Sequence, residues 1–236
     1  MIYPMLRPFI LLFLLALPLS AVFAQPAARS DQYTSAADSD PEAKRLLEAI
    51  RKKYDGYTTM SAEFRLAIAL PEQPVEEQRG SISRQGDNVR FRLGNQEGIL
   101  NDRAAYVILH GSKEVQINDL PEPGELTGVL TPQTLFSFYE GDNYVLSVIG
   151  DERYAGKTYR AIELKPIDRN NSDFTKLRIL ADARAKEIAT VKAFTRDGSN
   201  YTFFLDKTVA NPTLPATTFR FDAKAFPGYH VEDLRY

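Results

Sequence analysis

Met60-Ser61-Ala62-Glu63-Phe64-Arg65-Leu66-Ala67-Ile68-Ala69-Leu70 places large apolar side chains on one parity and polar or small ones on the other. Successive side chains of a β-strand point to opposite faces, so this period of two predicts a long, half-buried strand. Val89, Phe91 and Leu93 alternate with Asn88, Arg90 and Arg92 in the same way. Shorter strands are predicted at Gly80–Arg84, Glu97–Leu100, Ala105–Leu109 and Glu114–Ile117, then at Tyr144–Gly150, Tyr159–Lys165, Thr175–Ala181, Ile188–Thr195 and Tyr201–Val209. Gln85-Gly86-Asp87, Asn101-Asp102-Arg103, Gly111-Ser112 and Asp197-Gly198 separate them with turn chemistry. About ten strands joined by short turns imply an antiparallel meander, because parallel strands need long crossovers.

Upstream the period is helical. Asp40-Pro41 supplies a cap and a first-turn proline, and Ala43, Leu46, Leu47, Ile50 and Tyr54 follow on one stripe. Lys44, Arg45, Arg51, Lys52 and Lys53 fall largely off it, a solvated face that anionic lipid could also touch. The helix is expected to end near Asp55-Gly56. A second, shorter helix is expected where Thr131-Pro132 opens a run carrying Leu135, Phe136, Phe138 and Tyr139, after the Pro/Gly/Glu-rich stretch Asn118–Val129.

The beginning of the chain reads as an export signal. Met1–Ala24 holds one charge, Arg7, then an apolar run from Phe9 to Leu17 and the small-residue ending Val22-Phe23-Ala24. Cleavage after Ala24 takes 24 residues from 236 and leaves 212, enough for one domain. Residues 25–39, rich in Ala, Ser, Asp and Gln, are read as a disordered leader, and 40–236 as a single domain.

Composition excludes several functions. With 29 Lys and Arg against 31 Asp and Glu and no basic cluster, nucleic acid is not a partner. Zero Cys removes thiol catalysis, thiolate metal sites, disulfides and lipid attachment to a cysteine. The two histidines, His110 and His230, cannot build a multi-histidine metal centre. His110 lacks a G-x-S-x-G nucleophile to serve, and His230 reads as a surface residue. Glu63, Glu163 and Asp182 could supply a glycosidase pair, as in any secreted β protein. Asp168–Asp173 begins like a calcium loop but lacks its later Gly and Glu. An enzyme is not indicated, and neither metal nor cofactor is called for. What remains is an exported sheet with apolar helices to dock on it. Sheets of this size curl, and helices on the concave face leave either a filled core or an apolar cavity.

Several strings, in order along the chain, resemble the periplasmic lipoprotein carrier family, LolA. Phe219–Arg235, FRFDAKAFPGYHVEDLR, is similar to the family's ending. So are YTTMSAEFRL at Tyr57–Leu66, GSISR at Gly80–Arg84, ILNDRAAYVI at Ile99–Ile108 and LTPQTLF at Leu130–Phe136 to its earlier segments. The resemblance implies a mainly β fold, an unclosed antiparallel barrel of about ten to eleven strands with helices forming a lid over a hydrophobic cavity. It implies a monomeric carrier of acylated lipoproteins, loaded by an ATP-driven inner-membrane complex of the LolCDE type and emptied by an outer-membrane acceptor of the LolB type. On this reading Met60, Phe64, Leu66, Val89, Phe91, Leu93, Tyr106, Tyr144 and Leu146 face the lipid, and Leu46, Leu47, Ile50, Leu135, Phe136 and Tyr139 form the lid. Arg84 takes the place of an arginine that helps control release, with Gln85 where the family has proline. Two other readings stand beside it: a sensor or carrier of another lipid or glycolipid with the same fold, and a secreted hydrolase.

Overall fold

The computed structural model describes residues 35–122, 134–139, 142–170 and 172–235. The signal segment, the leader up to residue 34 and the Thr131-Pro132 helix start lie outside these residues.

The helix forms where its capping signals put it. α1 runs Pro41–Asp55, with the Asp40 carboxylate accepting the Glu42 N–H at 2.7 Å and Pro41 in the first turn. Ala43, Leu47, Ile50 and Tyr54 form its buried stripe. Ser35–Ser39, assigned by composition to the disordered leader, instead form a capped 3-10 turn. Ser39 Oγ accepts the Leu146 N–H at 3.0 Å, and the Asp40 N–H donates to Leu146 O at 2.8 Å. The Ser39 hydroxyl and the Asp40 N–H thus find partners on a strand edge, which composition does not register.

Twelve strands make one sheet: β1 (Thr59–Ala69), β2 (Glu76–Gln85), β3 (Asn88–Leu93), β4 (Gln96–Leu100), β5 (Ala105–Leu109), β6 (Glu114–Asn118), β7 (Tyr144–Tyr154), β8 (Lys157–Pro166), β9 (Phe174–Asp182), β10 (Glu187–Thr195), β11 (Asn200–Ala210) and β12 (His230–Asp233). Their spatial order is β12-β6-β5-β4-β3-β2-β1-β11-β10-β9-β8-β7. Two antiparallel meanders, β1–β6 and β7–β11, therefore join through the β1–β11 pair, and the sheet does not close.

The meander is not the whole topology. β12 pairs in parallel with β6, His230 opposite Glu114 through Asp233 opposite Ile117. Its residues are all exposed and carry no alternation, so only the open edge of β6 makes it a strand. The second lid helix is also corrected: Thr134–Tyr139 is a run of turns in which the Ser137 and Phe138 N–H groups both donate to Thr134 O at 2.8 Å. Leu135, Phe136, Phe138 and Tyr139 are nevertheless buried. One helix-like bond, Phe138 N–H to Thr134 O, and burial of apolar groups on several sides accompany this turn.

One sheet face carries the main core. Register places Met60, Ala62, Phe64 and Leu66 of β1 in line with Ile82, Phe203, Val191, Ile179 and Ile162 of the neighbouring strands, all in one apolar cluster with α1. α1 is anchored to β7 at its start and to β2 at its end, through Arg84. Six strand spacings separate β2 from β7, about 29 Å in a flat sheet. The helix is about 22 Å long, and the Arg84 side chain at one end and the Asp40 hydrogen bond at the other complete its reach across the strands between.

Candidate functional site

The inner face divides into two parts. Under α1 it is filled: Leu47, Ile50, Tyr54, Met60, Phe64, Ile162, Leu164, Leu177 and Ile179 are each at most 2% exposed. Over β3–β6 the same face is open. There Val89, Phe91, Gly98, Leu100 and Val107 line a groove of about 460 Å³, bordered by Asn118–Pro121 and Leu234. Leu120 and Leu234 stand exposed beside it, at 43% and 39%. Gly98 is required at its base, since a Cβ there would meet the Phe91 ring at 2.1 Å. A second groove of about 350 Å³ lies between α1 and β7, lined in part by Leu47, Tyr139, Tyr144 and Leu146.

The sequence-predicted residues distribute unevenly between these parts. Phe91 and Leu146 line the larger and the smaller groove, and Val89 and Tyr144 border these grooves while being buried in the main core cluster. Met60, Phe64 and Leu66 are sealed into the core, and Leu93 packs against it. Tyr106 borders the groove, yet its register with Ile99 and Ile117 puts its ring on the opposite face, stacked on Phe221 at 4.8 Å. Of the lid residues, Leu47, Ile50, Leu135, Phe136 and Tyr139 are buried and Leu46 packs against the same cluster. Leu100, Val107, Leu120 and Leu234 were not anticipated as lining. β5 reads Ala-Tyr-Val-Ile-Leu, apolar on both parities, so periodicity does not say which side faces inward.

Tyr54 is the node that holds α1 down. Its hydroxyl accepts the Ile188 N–H at 2.9 Å, at a β-bulge that leaves this donor unused by the β9–β10 ladder. Burial pushes its phenol well above the ordinary tyrosine range. Its ring meets Phe136 edge-on at 5.0 Å, joining α1 to the 134–139 segment. Its carbonyl accepts from the Arg84 guanidinium at 2.6 Å, a charge-assisted bond at the negative end of the helix. Next to it, Lys53 Nζ donates to Ala185 O at 2.7 Å and Glu187 Oε1 at 2.6 Å. Arg84 thus bonds directly to the covering helix.

The outer face of β4–β6 has its own cover. The C-terminal segment crosses it, with Phe221, Phe226 and Tyr229 packed on Ile99, Ile108 and Val115. Glu97, 2% exposed, sits beneath, paired with Arg90 and, at 2.9 Å, Arg92; His110 Nε2 is 3.4 Å away. His110 Nδ1 lies 2.8 Å from Tyr229 Oη, and Arg90 donates to Thr218 O at 3.0 Å. Burial alone would raise the Glu97 carboxyl, but the hydrogen bonds and charges of Arg92 and Arg90 outweigh it and hold it below the usual range. His110 has Tyr229 and Glu97 as its neighbours, an arrangement that fixes the C-terminal strap. Among the described residues no group of three or more His, Asp or Glu could hold a metal ion, and no helix is long and apolar enough to cross a membrane.

No protein-family model matches the sequence, and no curated protein matches it. Solved structures do match in three dimensions. An uncharacterized conserved protein from Thermus thermophilus superposes with a TM-score of 0.54 at 8% identity, over 81% of this chain and 99% of that one. A LolA superfamily protein from Nitrosomonas europaea gives 0.41 at 14%, over 77% and 98%. A chain of the Pseudomonas aeruginosa MucA/MucB complex gives 0.40 at 16%, over 78% and 62%. The architecture itself is the anticipated one, an unclosed and mainly antiparallel sheet with a helix on one face.

Proposed function

We propose that this protein is a periplasmic carrier that shields the acyl chains of lipoproteins and moves them from the inner to the outer membrane. The observation that carries the reading is the division of one apolar sheet face into a part filled by a tethered helix and a part left as an open groove. Taking acyl chains through water costs about 0.8 kcal/mol per exposed CH₂, and apolar burial returns roughly 25 cal/mol per Å² without directional demands. A carrier therefore needs apolar area and a movable cover rather than titrating groups, and most residues lining the groove are apolar.

The groove of about 460 Å³ falls in the lower half of the range that holds one small ligand, about 300–1,000 Å³. Several acyl chains would need more, so α1 and the 134–139 segment would lift and expose Met60, Phe64 and Leu66. Arg84, bonded to the last turn of α1, would then set how readily the cover opens. An export signal cleaved after Ala24 would deliver the chain to the periplasm. An ATP-driven inner-membrane complex of the LolCDE type would load it, and an outer-membrane acceptor of the LolB type would empty it.

Mass spectrometry of lipid and protein recovered with the exported protein tests this. Acylated lipoprotein is the expected cargo, and Phe91→Glu should remain folded and recover none. Cargo retained at wild-type level by Phe91→Glu would remove the groove from the lipid site. Free lipid or glycolipid in place of lipoprotein would favour the same-fold lipid carrier or sensor.

A further inference from the structure

The outer face of β8–β10, opposite the core, carries a feature that lipid shielding does not use. Lys176, Arg178 and Lys192 surround one aromatic ring, with their cationic groups 4.9, 5.8 and 5.0 Å from the centre of Phe194. Lys192 stands opposite Arg178, and Phe194 opposite Lys176, in the β9–β10 register. Lys165 adds a fourth cation from β8. Glu163 lies among them, its carboxylate 3.1 Å from Lys176, 3.4 Å from Arg178 and 3.7 Å from Lys165, and Glu152 approaches Arg178 at 3.9 Å. Among the described residues Glu163 and Glu152 pair with three of these cations. Among the described residues Lys192 has no carboxylate partner at all.

This is an array over three strands, not a row along one element. Neighbouring strands are about 4.8 Å apart and same-face residues about 6.8 Å apart along each, so the charges are set out in two dimensions on the outer face. The Lys165, Lys176 and Arg178 side chains keep 41%, 35% and 31% of their surface exposed, their stems lying on the sheet as long cationic side chains do, while Arg178 Nε is buried. Lys176 and Arg178 share one Glu163 oxygen, and Lys192, outside that pair, adds positive charge that a field of mobile anionic groups can meet.

We propose that the Lys165, Lys176, Arg178 and Lys192 array around Phe194 docks the protein on an anionic membrane surface, reading phospholipid headgroups by charge. Docking through this face leaves the apolar groove, on the opposite side of the sheet, uncovered. The surface does not depend on what that groove holds.

Co-flotation of the exported protein with vesicles decides it. Equimolar phosphatidylglycerol and phosphatidylcholine vesicles should bind the protein at low salt, phosphatidylcholine alone should not, and raising salt should release it. Each cation at such a surface strengthens binding about five-fold, so Lys176→Ala with Lys192→Ala should weaken it by about 25-fold. The single variant Lys192→Glu, which disturbs no ion pair with Glu163, should also weaken it and guards against misfolding of the double variant, followed by circular dichroism. Binding to anionic vesicles unchanged in folded Lys192→Glu overturns the proposal. So does equal binding to neutral vesicles, or salt-sensitive retention on polyglutamate without vesicle binding, which would assign the array to an acidic polypeptide.

Discussion

The inner face under α1 and the inner face over β3–β6 follow the same alternation, yet one is a core and the other a groove. β1 and β8–β11 present Phe64, Ile162, Leu164, Leu177, Ile179, Val191 and Phe203 to α1 and the 134–139 segment, which seal them. β3–β5 present Val89, Phe91, Leu100 and Val107 to a space bordered by Leu120 and Leu234. Whether an apolar strand face becomes core or site is decided by what lies over it, not by the strand. The tethers show how the cover is held: Ser39 and Asp40 at one end of α1, Arg84, Lys53 and Tyr54 at the other.

Substitutions can separate the two parts. The largest effect belongs to the covered part. Leu164→Ala, at a fully buried position between Leu146 and Leu177, should cost about 2–5 kcal/mol in urea unfolding, because the sealed site cannot collapse around the cavity. A cost below about 1 kcal/mol would mean that α1 already opens easily.

Next comes the strap on the outer face. Glu97→Gln breaks a buried carboxylate away from two arginines that are themselves partly exposed, so we expect a loss of about 2 kcal/mol, below the range for fully buried pairs. The sign with pH follows from the depressed carboxyl. The stabilisation from Glu97 is complete above the unfolded glutamate value of about 4.3 and is lost as pH falls through the lower folded value. Wild-type and Glu97→Gln unfolding curves should therefore converge on acidification below about pH 4. A gap that stays constant from pH 7 to 3 would remove Glu97 from the ion-pair account.

Arg84→Ala tests the latch. Losing one charge-assisted bond to the Tyr54 carbonyl should cost about 1.5 kcal/mol, seen first as faster hydrogen exchange in the last turn of α1 and only weakly in global unfolding. Uniformly faster exchange over the whole sheet would make Arg84 an ordinary structural residue. The smallest effect belongs to the groove margin: Leu234→Ser, at an exposed position, should change stability by no more than about 0.5 kcal/mol. The lipid reading then expects that same substitution to weaken cargo retention.

Much of the fold was legible. α1 begins and ends where Asp40-Pro41 and Gly56 put it. Eleven of the twelve strands sit on the predicted runs, several extended at their ends. The misses share a cause. β12 and the Ser35–Ser39 turn have no apolar period of their own and exist because β6 and β7 offer unpaired edges. Tyr106 faced the wrong way in the sequence reading because β5 is apolar on both parities, and it is apolar on both because Phe221, Phe226 and Tyr229 cover its outer side. The Thr131-Pro132 start and the apolar run predict a helix, whereas residues 134–139 form turns with their apolar side chains buried.

By itself the sequence determined the strands, the first helix and the absence of thiol chemistry, because period, capping and composition act within a few residues. Only the tertiary structure decided which half of the sheet is covered, which face Tyr106 takes and that Arg84 meets the Tyr54 carbonyl. Those outcomes depend on residues tens of positions apart being brought within a few ångströms, and local patterning carries no information about that distance.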